Sequence, residues 1–325
     1  MGVSVTVAVC TRGRPVQLAR ALESLQAQRR AAAEILVVDN DPPDDATRAL
    51  VAERFPGVRY VREPTQGLDF ARNRALASAA GDVVAFLDDD AVAAEEWAGA
   101  LAAVFAADPA VAVCTGRVEA LGRQTEGERI FEANGGFSRG VERIRLPADA
   151  ARPLHGRPAP LIAWAVSIGS GCSYAVRRTT ALALGGFDEA LDLGAALPGG
   201  GDHDLLWRAL QAGHTVVYEP AALAWHEHRP GAGGAYAQMV GHQRALLAFL
   251  YKHLVHPNGG TRGPVAGYLA WRLLKPGVRL ARRAVGRDPL PAPVLARMWW
   301  NCWAGLAAYP RARRVAHARR EGRAW

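Results

Sequence analysis

Val83-Val84-Ala85-Phe86-Leu87-Asp88-Asp89-Asp90 sets five apolar residues directly before three acids. A run apolar on both faces suits a buried strand of a parallel sheet, and such strands present ligand-binding residues at their carboxyl ends. Three runs of the same kind come earlier: Val3 to Val9, Ile35 to Val38 and Val58 to Val61. Helical patterns fill the intervals. Pro15 to Gln28 carries Leu18, Leu22 and Leu25 at i, i+4 and i+7 behind a proline, and Ala71 to Ala80 leads into Val83. Strand and helix in alternation predict an α/β fold on a doubly wound, mostly parallel sheet.

The strand ends then become the place to look for chemistry. The first ends in Cys10-Thr11-Arg12, the second in Asp39-Asn40-Asp41 and the fourth in the three acids. Carboxylates gathered along one sheet edge repel unless a cation or a ligand's donors lie among them. No G-x-G-x-x-G follows the first strand and no G-x-x-x-x-G-K-[ST] occurs, so dinucleotide-dependent enzymes and P-loop NTPases are excluded.

With 325 residues, 50% hydrophobic and 22% charged, the chain has room for one large α/β domain and an extension. Charge divides it. Residues 231–325 hold 16 Lys/Arg against Asp288 and Glu321, whereas residues 1–230 hold 23 against 29. An acidic body suits a cation site, and a basic tail suits phosphates, of nucleic acid or of lipid. The lysines are just Lys252 and Lys275, and arginine with abundant alanine suggests a GC-rich bacterial genome. Cys10, Cys114, Cys172 and Cys302 lie far apart without a C-x-x-C pair, which fits a reducing cytosol. No signal-peptide pattern opens the chain, and no apolar run approaches the ~18 residues of a membrane span. A cytoplasmic location is expected.

A set of motifs in order carries a family resemblance. It comprises Val7-Ala8-Val9-Cys10-Thr11-Arg12, Val37-Val38-Asp39-Asn40, Gly67 through Ala71-Arg72-Asn73, and Phe86-Leu87-Asp88-Asp89-Asp90. Downstream follow Gly185-Gly186-Phe187-Asp188-Glu189, Gly199-Gly200-Gly201-Asp202-His203-Asp204-Leu205 with Arg208, Tyr218-Glu219-Pro220 and Trp225-His226-Glu227-His228-Arg229. Together these resemble the inverting family 2 glycosyltransferases with the GT-A fold. The resemblance implies a catalytic domain over 1–230, with a nucleotide-binding half (1–120) and an acceptor half (121–230), and a basic helical region over 231–325.

It also implies roles. A nucleotide sugar leaves as a nucleoside diphosphate, whose charge a divalent cation stabilises, and oxygen ligands suit Mn2+ or Mg2+. Asp88 and Asp90 match the family's D-x-D, with Asp90 the direct metal ligand, Asp88 shared between metal and ribose, and Asp89 close to either role. His226, three residues before Arg229, matches a histidine that completes the metal shell. Asp39 matches the base-recognising carboxylate, with Thr11 and Arg12 lining the same nucleoside pocket; an Asx turn is the competing reading of Asp39. Arg72 and Asn73 match an element opening a helix toward phosphate or base. Asp202 matches the catalytic base, although Gly201 before it stands where the family usually has an acid. Its alternative is an N-cap of the helix running to Ala212. Asp204 and Arg208, at i and i+4, are expected to pair on the helix surface. Gly169-Ser170-Gly171-Cys172-Ser173 resembles the acceptor-side segment, with Ser173 where asparagine is common. Trp164 and Trp207 are expected in the core.

Two rival readings come from the same residues. Phe86 to Val92 also fits the D-x-D-x-[TV] of haloacid-dehalogenase-type phosphatases, but these enzymes need a lysine and then paired acids downstream, and after Lys252 the only acids are Asp288 and Glu321. The basic tail suggests nucleic-acid binding, yet no DNA- or RNA-binding motif accompanies it. From Tyr236 onward the pattern is helical, with Leu246, Leu247, Leu250 and Leu254 on one side, then Tyr268 to Val285 and Val294 to Tyr309. Breaks fall at Pro257-Asn258-Gly259-Gly260 and at Pro289-Leu290-Pro291. Trp271, Trp299, Trp300, Trp303 and Trp325 interleave with arginines there, the composition of interfacial membrane helices. The partners expected are a nucleotide-sugar donor (UDP favoured, GDP or dTDP as alternatives), a carbohydrate or lipid-linked acceptor, and an anionic membrane surface on the inner face of the cell membrane. A helical cap over the catalytic domain is the alternative for the tail.

Overall fold

The computed structural model describes residues 2–122, 124–194, 197–257 and 259–322. Asn258 and Trp325 lie outside the described residues. The first half runs β1 (Val5–Thr11), α1 (Pro15–Gln26), β2 (Glu34–Asn40), α2 (Ala46–Arg54), β3 (Arg59–Glu63), α3 (Leu68–Ser78), β4 (Val83–Leu87), β5 (Ala91–Ala93) and α4 (Trp97–Ala107). The second continues through β6 (Val111–Ala120), α5 (Glu126–Ala133), β7 (Ile144–Leu146), α6 (Leu161–Ile168), β8 (Ser173–Arg177), α7 (Arg178–Ala183), α8 (Gly201–Gln211) and β9 (Thr215–His226). Three long helices follow: α9 (Ala232–Val255), α10 (Arg262–Ala284) and α11 (Ala292–Arg320).

Nine strands form one mixed sheet, ordered β3-β2-β1-β4-β8-β6-β9-β5, with β7 also on β9. The four apolar runs make its parallel part, since β1 pairs in parallel with β2 and β4, and β2 with β3. Beyond β4 the direction alternates: β8 is antiparallel to both β4 and β6, and β6 is again parallel to β9. The nucleotide-side motifs therefore share one sheet edge with segments that follow more than 80 residues later. Val7, Val9, Leu22 and Leu101 pack one face of the sheet, and Ala8, Val84, Tyr174 and Leu206 the other, all buried.

The last three helices are fastened to this body. Leu247, Phe249, Leu250 and Cys302 join the second of those cores. Tyr309, Ala312 and Val315 of α11 pack with Phe70, Leu191 and Leu193. That packing carries α11 through Pro310 and past the expected stretch Val294 to Tyr309, to Arg320. Polar ties add to it. Asp204, expected on the surface, is fully buried and accepts from Arg208 (2.7 Å), from Lys252 (2.5 Å) and from His253 (2.9 Å). The i,i+4 spacing gave the partner correctly but not the burial, because α9 covers that face of α8.

Candidate functional site

The three acids sit where β4 turns into β5, and β9 is stitched beside them. His226 pairs with Ala91 of β5 and Ala120 of β6, and the Glu227 amide donates to the Asp90 carbonyl at 3.0 Å. This register brings an imidazole from residue 226 to a loop at residue 90. His226 Nε2 lies 3.2 Å from Asp90 Oδ1, and Asp88, Cys172 and His226 place potential ligand atoms within 4.8 Å of one another. Burial works against a proton on His226, but the hydrogen bond and charge of Asp90 outweigh it and push its pKa up. Burial and the neighbouring Asp90 charge push Asp88 up to about 6, against the opposing charges of Arg72 and His226. Burial also keeps the Cys172 thiol protonated. The donor set of two carboxylates and an imidazole fits a divalent cation.

Asp89 faces the other way. It is buried, accepting from Thr11 Oγ1 at 2.7 Å and from Arg14 at 3.1 Å, and Arg14 also reaches Asp90 at 3.1 Å. Thr11 and Asp89, both expected at the nucleotide, thus tie the end of β1 to the acid loop. Arg12 forms a half-exposed pair with Asp41 at 2.8 Å. Asp39 is buried at the end of β2; its Oδ2 accepts from Tyr60 at 2.9 Å, its Oδ1 has no hydrogen-bond partner among the described residues, and burial raises its pKa. A lone buried acceptor at a strand end is what an incoming N–H would meet.

Two of the residues expected at the nucleotide already have partners within the protein. Asn73 is spent on the loop before residue 190: its amide donates to the Phe187 carbonyl and to Glu189, both at 3.0 Å, and accepts from the Phe187 amide at 2.8 Å. Arg72 is buried and paired with Asp69 (2.9 Å) and Asp192 (3.4 Å), with Asp202 and Asp88 contributing charge nearby. It balances an acid cluster and also lines the cleft.

Asp202 is the second residue of α8, after the N-cap Gly200. Its Oδ1 accepts from the His203 amide at 2.8 Å and lies 3.0 Å from His203 Nδ1. It therefore takes one first-turn amide, as a cap would, and also lines the open cleft. Burial opposes its charge, but His203 and Arg72 outweigh that and hold the carboxyl well below its usual range. Gly201 has a local reason. A Cβ there would run into Asp69 Oδ2, a fully buried oxygen with no hydrogen-bond partner. An acid from α3 thus stands beside the position where an acid at residue 201 would begin. Sequence reading missed Asp69, Asp192 and Arg14; the i,i+3 spacing of Asp69 and Arg72 was the visible signal for the first.

Asp88, Arg72, Asp202 and His226 line one cleft of about 670 Å³, with the segment Gly169 to Cys172 as part of its wall. Gly171 is required there, since a Cβ would approach Arg72 Nη2 to 2.5 Å and Asp202 Oδ2 to 3.3 Å. Ser173 is buried and accepts from Trp97 Nε1 at 2.8 Å. Trp207 lies in the core, whereas Trp164, although buried, also borders the cleft. His228 is held by Glu132 at 2.7 Å and touches His226 through their Nδ1 atoms at 3.3 Å.

Comparison with known proteins bears on the family and the fold. The chain is 30% identical over 290 residues to the pre-mycofactocin glycosyltransferase of Mycobacterium tuberculosis, covering 86% of this chain and 54% of that protein. The chain thus spans about half the length of that relative. It is also 30% identical over 271 residues to the succinoglycan biosynthesis protein ExoM of Rhizobium meliloti, covering 80% of this chain and 74% of that one. Among solved structures, the mannosyltransferase PcManGT from Pyrobaculum calidifontis, in complex with GDP-Man and Mn2+, shares the fold at TM-score 0.56 and 20% identity, over 96% of this chain and 87% of that one. GalNAc-T7 with UDP, GalNAc and Mn2+ shares it at TM-score 0.53 and 16% identity, over 89% and 59%. Residues 6–179, more than half of the chain, match the family described as glycosyl transferase family 2, and the chain belongs to that family.

Proposed function

We propose that the protein transfers one sugar from a nucleoside diphosphate donor to an acceptor hydroxyl, with inversion at the anomeric carbon. The observation that carries this reading is the single cleft in which Asp88 and His226 face the same space as Asp202. Asp88, Asp90 and His226 would hold the cation, and an imidazole beside carboxylates favours Mn2+ over Mg2+. Bound there, the cation would neutralise charge developing on the departing diphosphate. Mn2+ in both solved relatives supports this choice.

Asp39 would accept the base's N–H through its free Oδ1, and Arg12 and Thr11 would border the nucleoside. UDP is favoured, with GDP and dTDP as alternatives; GDP-Man in the solved mannosyltransferase supports keeping GDP open. The acceptor oxygen attacks the anomeric carbon while the bond to the diphosphate breaks, and that bonding pair leaves on the phosphate oxygen. The acceptor proton goes to Asp202. His203 and Arg72 keep Asp202 ionised at neutral pH, so the proton acceptor is present before the acceptor arrives. A single displacement of this kind inverts the centre.

The tail would rest on an anionic membrane surface. Its exposed Trp271, Trp300 and Trp303 lie among helices rich in arginine, and no helix among the described residues is long and apolar enough to cross a membrane. The acceptor is then a carbohydrate, free or lipid-linked, met at the inner face of the cell membrane. A thermal-shift panel of nucleotide sugars with Mn2+ tests the donor: a true donor raises the melting temperature by mass action only when metal is present. A panel without any metal-dependent rise would remove the reading.

A further inference from the structure

Helix α10 carries two stripes side by side. Arg272, Lys275 and Arg279, at i, i+3 and i+7, border the same cleft as Asp88 and Asp202. Residues so spaced share a helix face. One position earlier on each turn, Trp271, Leu274 and Val278 are 47%, 61% and 50% exposed. Gly277 lets the Trp299 ring approach to 3.2 Å from where a Cβ would stand, so the apolar stripe continues onto α11 at Trp300 and Trp303.

The cationic stripe is neutralised at one end only, at Arg279. Arg279 takes both oxygens of Asp288, at 2.7 and 2.9 Å, and reaches Asn134 at 3.0 Å. Arg272 donates to Gln243 at 3.1 Å and keeps a buried Nε with no partner. Neither Arg272 nor Lys275 is paired with a carboxylate among the described residues. Enclosure in the cleft, with Arg272 and Arg279 alongside, pulls the Lys275 amine down to about 8. Two neighbouring cations without a counter-charge repel each other, and an anion between them relieves that penalty. A guanidinium beside an ammonium is a phosphate-binding pair, the first in a fork and the second as a point charge.

We infer that Arg272 and Lys275 form a phosphate subsite on the α10 wall of the acceptor cleft. It holds the phosphate of a lipid-linked acceptor, whose hydrocarbon chain leaves over Trp271, Leu274 and Val278. This rests on reading the cleft as the transfer site, and it names the acceptor's class. Opposite charge on the two walls orients the molecule: the acid cluster around Asp88 and Asp202 repels the phosphate, and α10 draws it in, so the hydroxyl end is left to face Asp202. The exposed apolar stripe beside the cations favours a lipid over a soluble sugar phosphate, which would have no use for it.

The test titrates the full chain, saturated with UDP and Mn2+ so that donor phosphate positions are filled, with farnesyl phosphate by calorimetry. The joint variant Arg272→Gln/Lys275→Gln should weaken binding by at least about tenfold, the loss of one charge-assisted hydrogen bond. Its affinity for UDP with Mn2+ should equal that of the natural chain, and Lys275→Arg should keep most of the farnesyl phosphate affinity. No binding by the natural chain, or equal binding by the joint variant, would overturn the subsite. Glucose 1-phosphate binding as tightly as farnesyl phosphate would overturn the lipid assignment. Failure of UDP, GDP and dTDP alike to bind the natural chain with Mn2+ would instead remove the donor reading underneath.

Discussion

In the body, acids converge: Asp69, Asp192 and Asp202 surround Arg72, while Asp88, Asp89 and Asp90 crowd His226 and Arg14. Over residues 231–325, cations are spread along helix faces, and the two acids, Asp288 and Glu321, lie outside the helices. The two regions handle charge differently. Buried acids must be matched one by one, so the body depends steeply on a few partners. Exposed arginines stay hydrated and act as a sum, so the tail should respond gradually to salt and to single substitutions.

The sharpest way to break this contrast is to remove the cation. Chelation with EDTA should abolish transfer, and Mn2+ should restore it, because the acid loop then lacks its counter-charge. Asp90→Asn should cost more activity than Asp89→Asn, since Asp89 is already engaged by Thr11 and Arg14 whereas Asp90 is the carboxylate beside His226. Full transfer in chelator would remove the metal assignment for Asp88, Asp90 and His226 together.

Next in size is the base. Asp202→Asn keeps an oxygen for the His203 amide and loses the proton acceptor, so turnover should fall ~10²-fold or more with donor affinity unchanged. A lower melting temperature with normal turnover would show a residue that only caps α8.

What could be read beforehand followed the range of the interactions. The parallel part of the sheet, the acid loop and Asp202 lie in local patterns, a strand run or a loop before a helix. The junctions did not. Asp204 looked like a surface partner of Arg208 because nothing near it in sequence announces Lys252 and His253 from α9. Gly201 read as a lost acid because Asp69 reaches it from α3, 132 positions earlier in the chain. Asn73 matched a nucleotide motif, yet its amide is fixed by backbone 114 residues away. The helical pattern is legible only over Val294 to Tyr309, and packing of Tyr309 and Ala312 on Leu191 and Leu193 carries α11 on to Arg320. Local chemistry is legible from spacing, while pairings closed only by the fold are not.

The smallest effect concerns the outer face of the tail, and it separates membrane contact from simple capping. Cutting the chain near Pro230 is a poor test, because Leu247, Leu250 and Cys302 belong to the same core as β4 and β8, and the body would lose that cover. Point changes on exposed residues are cleaner. Each Lys/Arg near an anionic surface contributes about 1 kcal/mol, so the full chain should co-sediment with anionic vesicles, bind zwitterionic ones weakly, and release in high salt. Trp300 is 73% exposed, so replacing it disturbs no packing. A half-inserted tryptophan is worth roughly 1 kcal/mol of apolar burial, and Trp300→Ser should weaken vesicle binding about fivefold with an unchanged melting temperature. If the full chain stays in solution with anionic vesicles at low salt, the arginines and tryptophans are a solvated surface and the tail serves the cleft only as its cover.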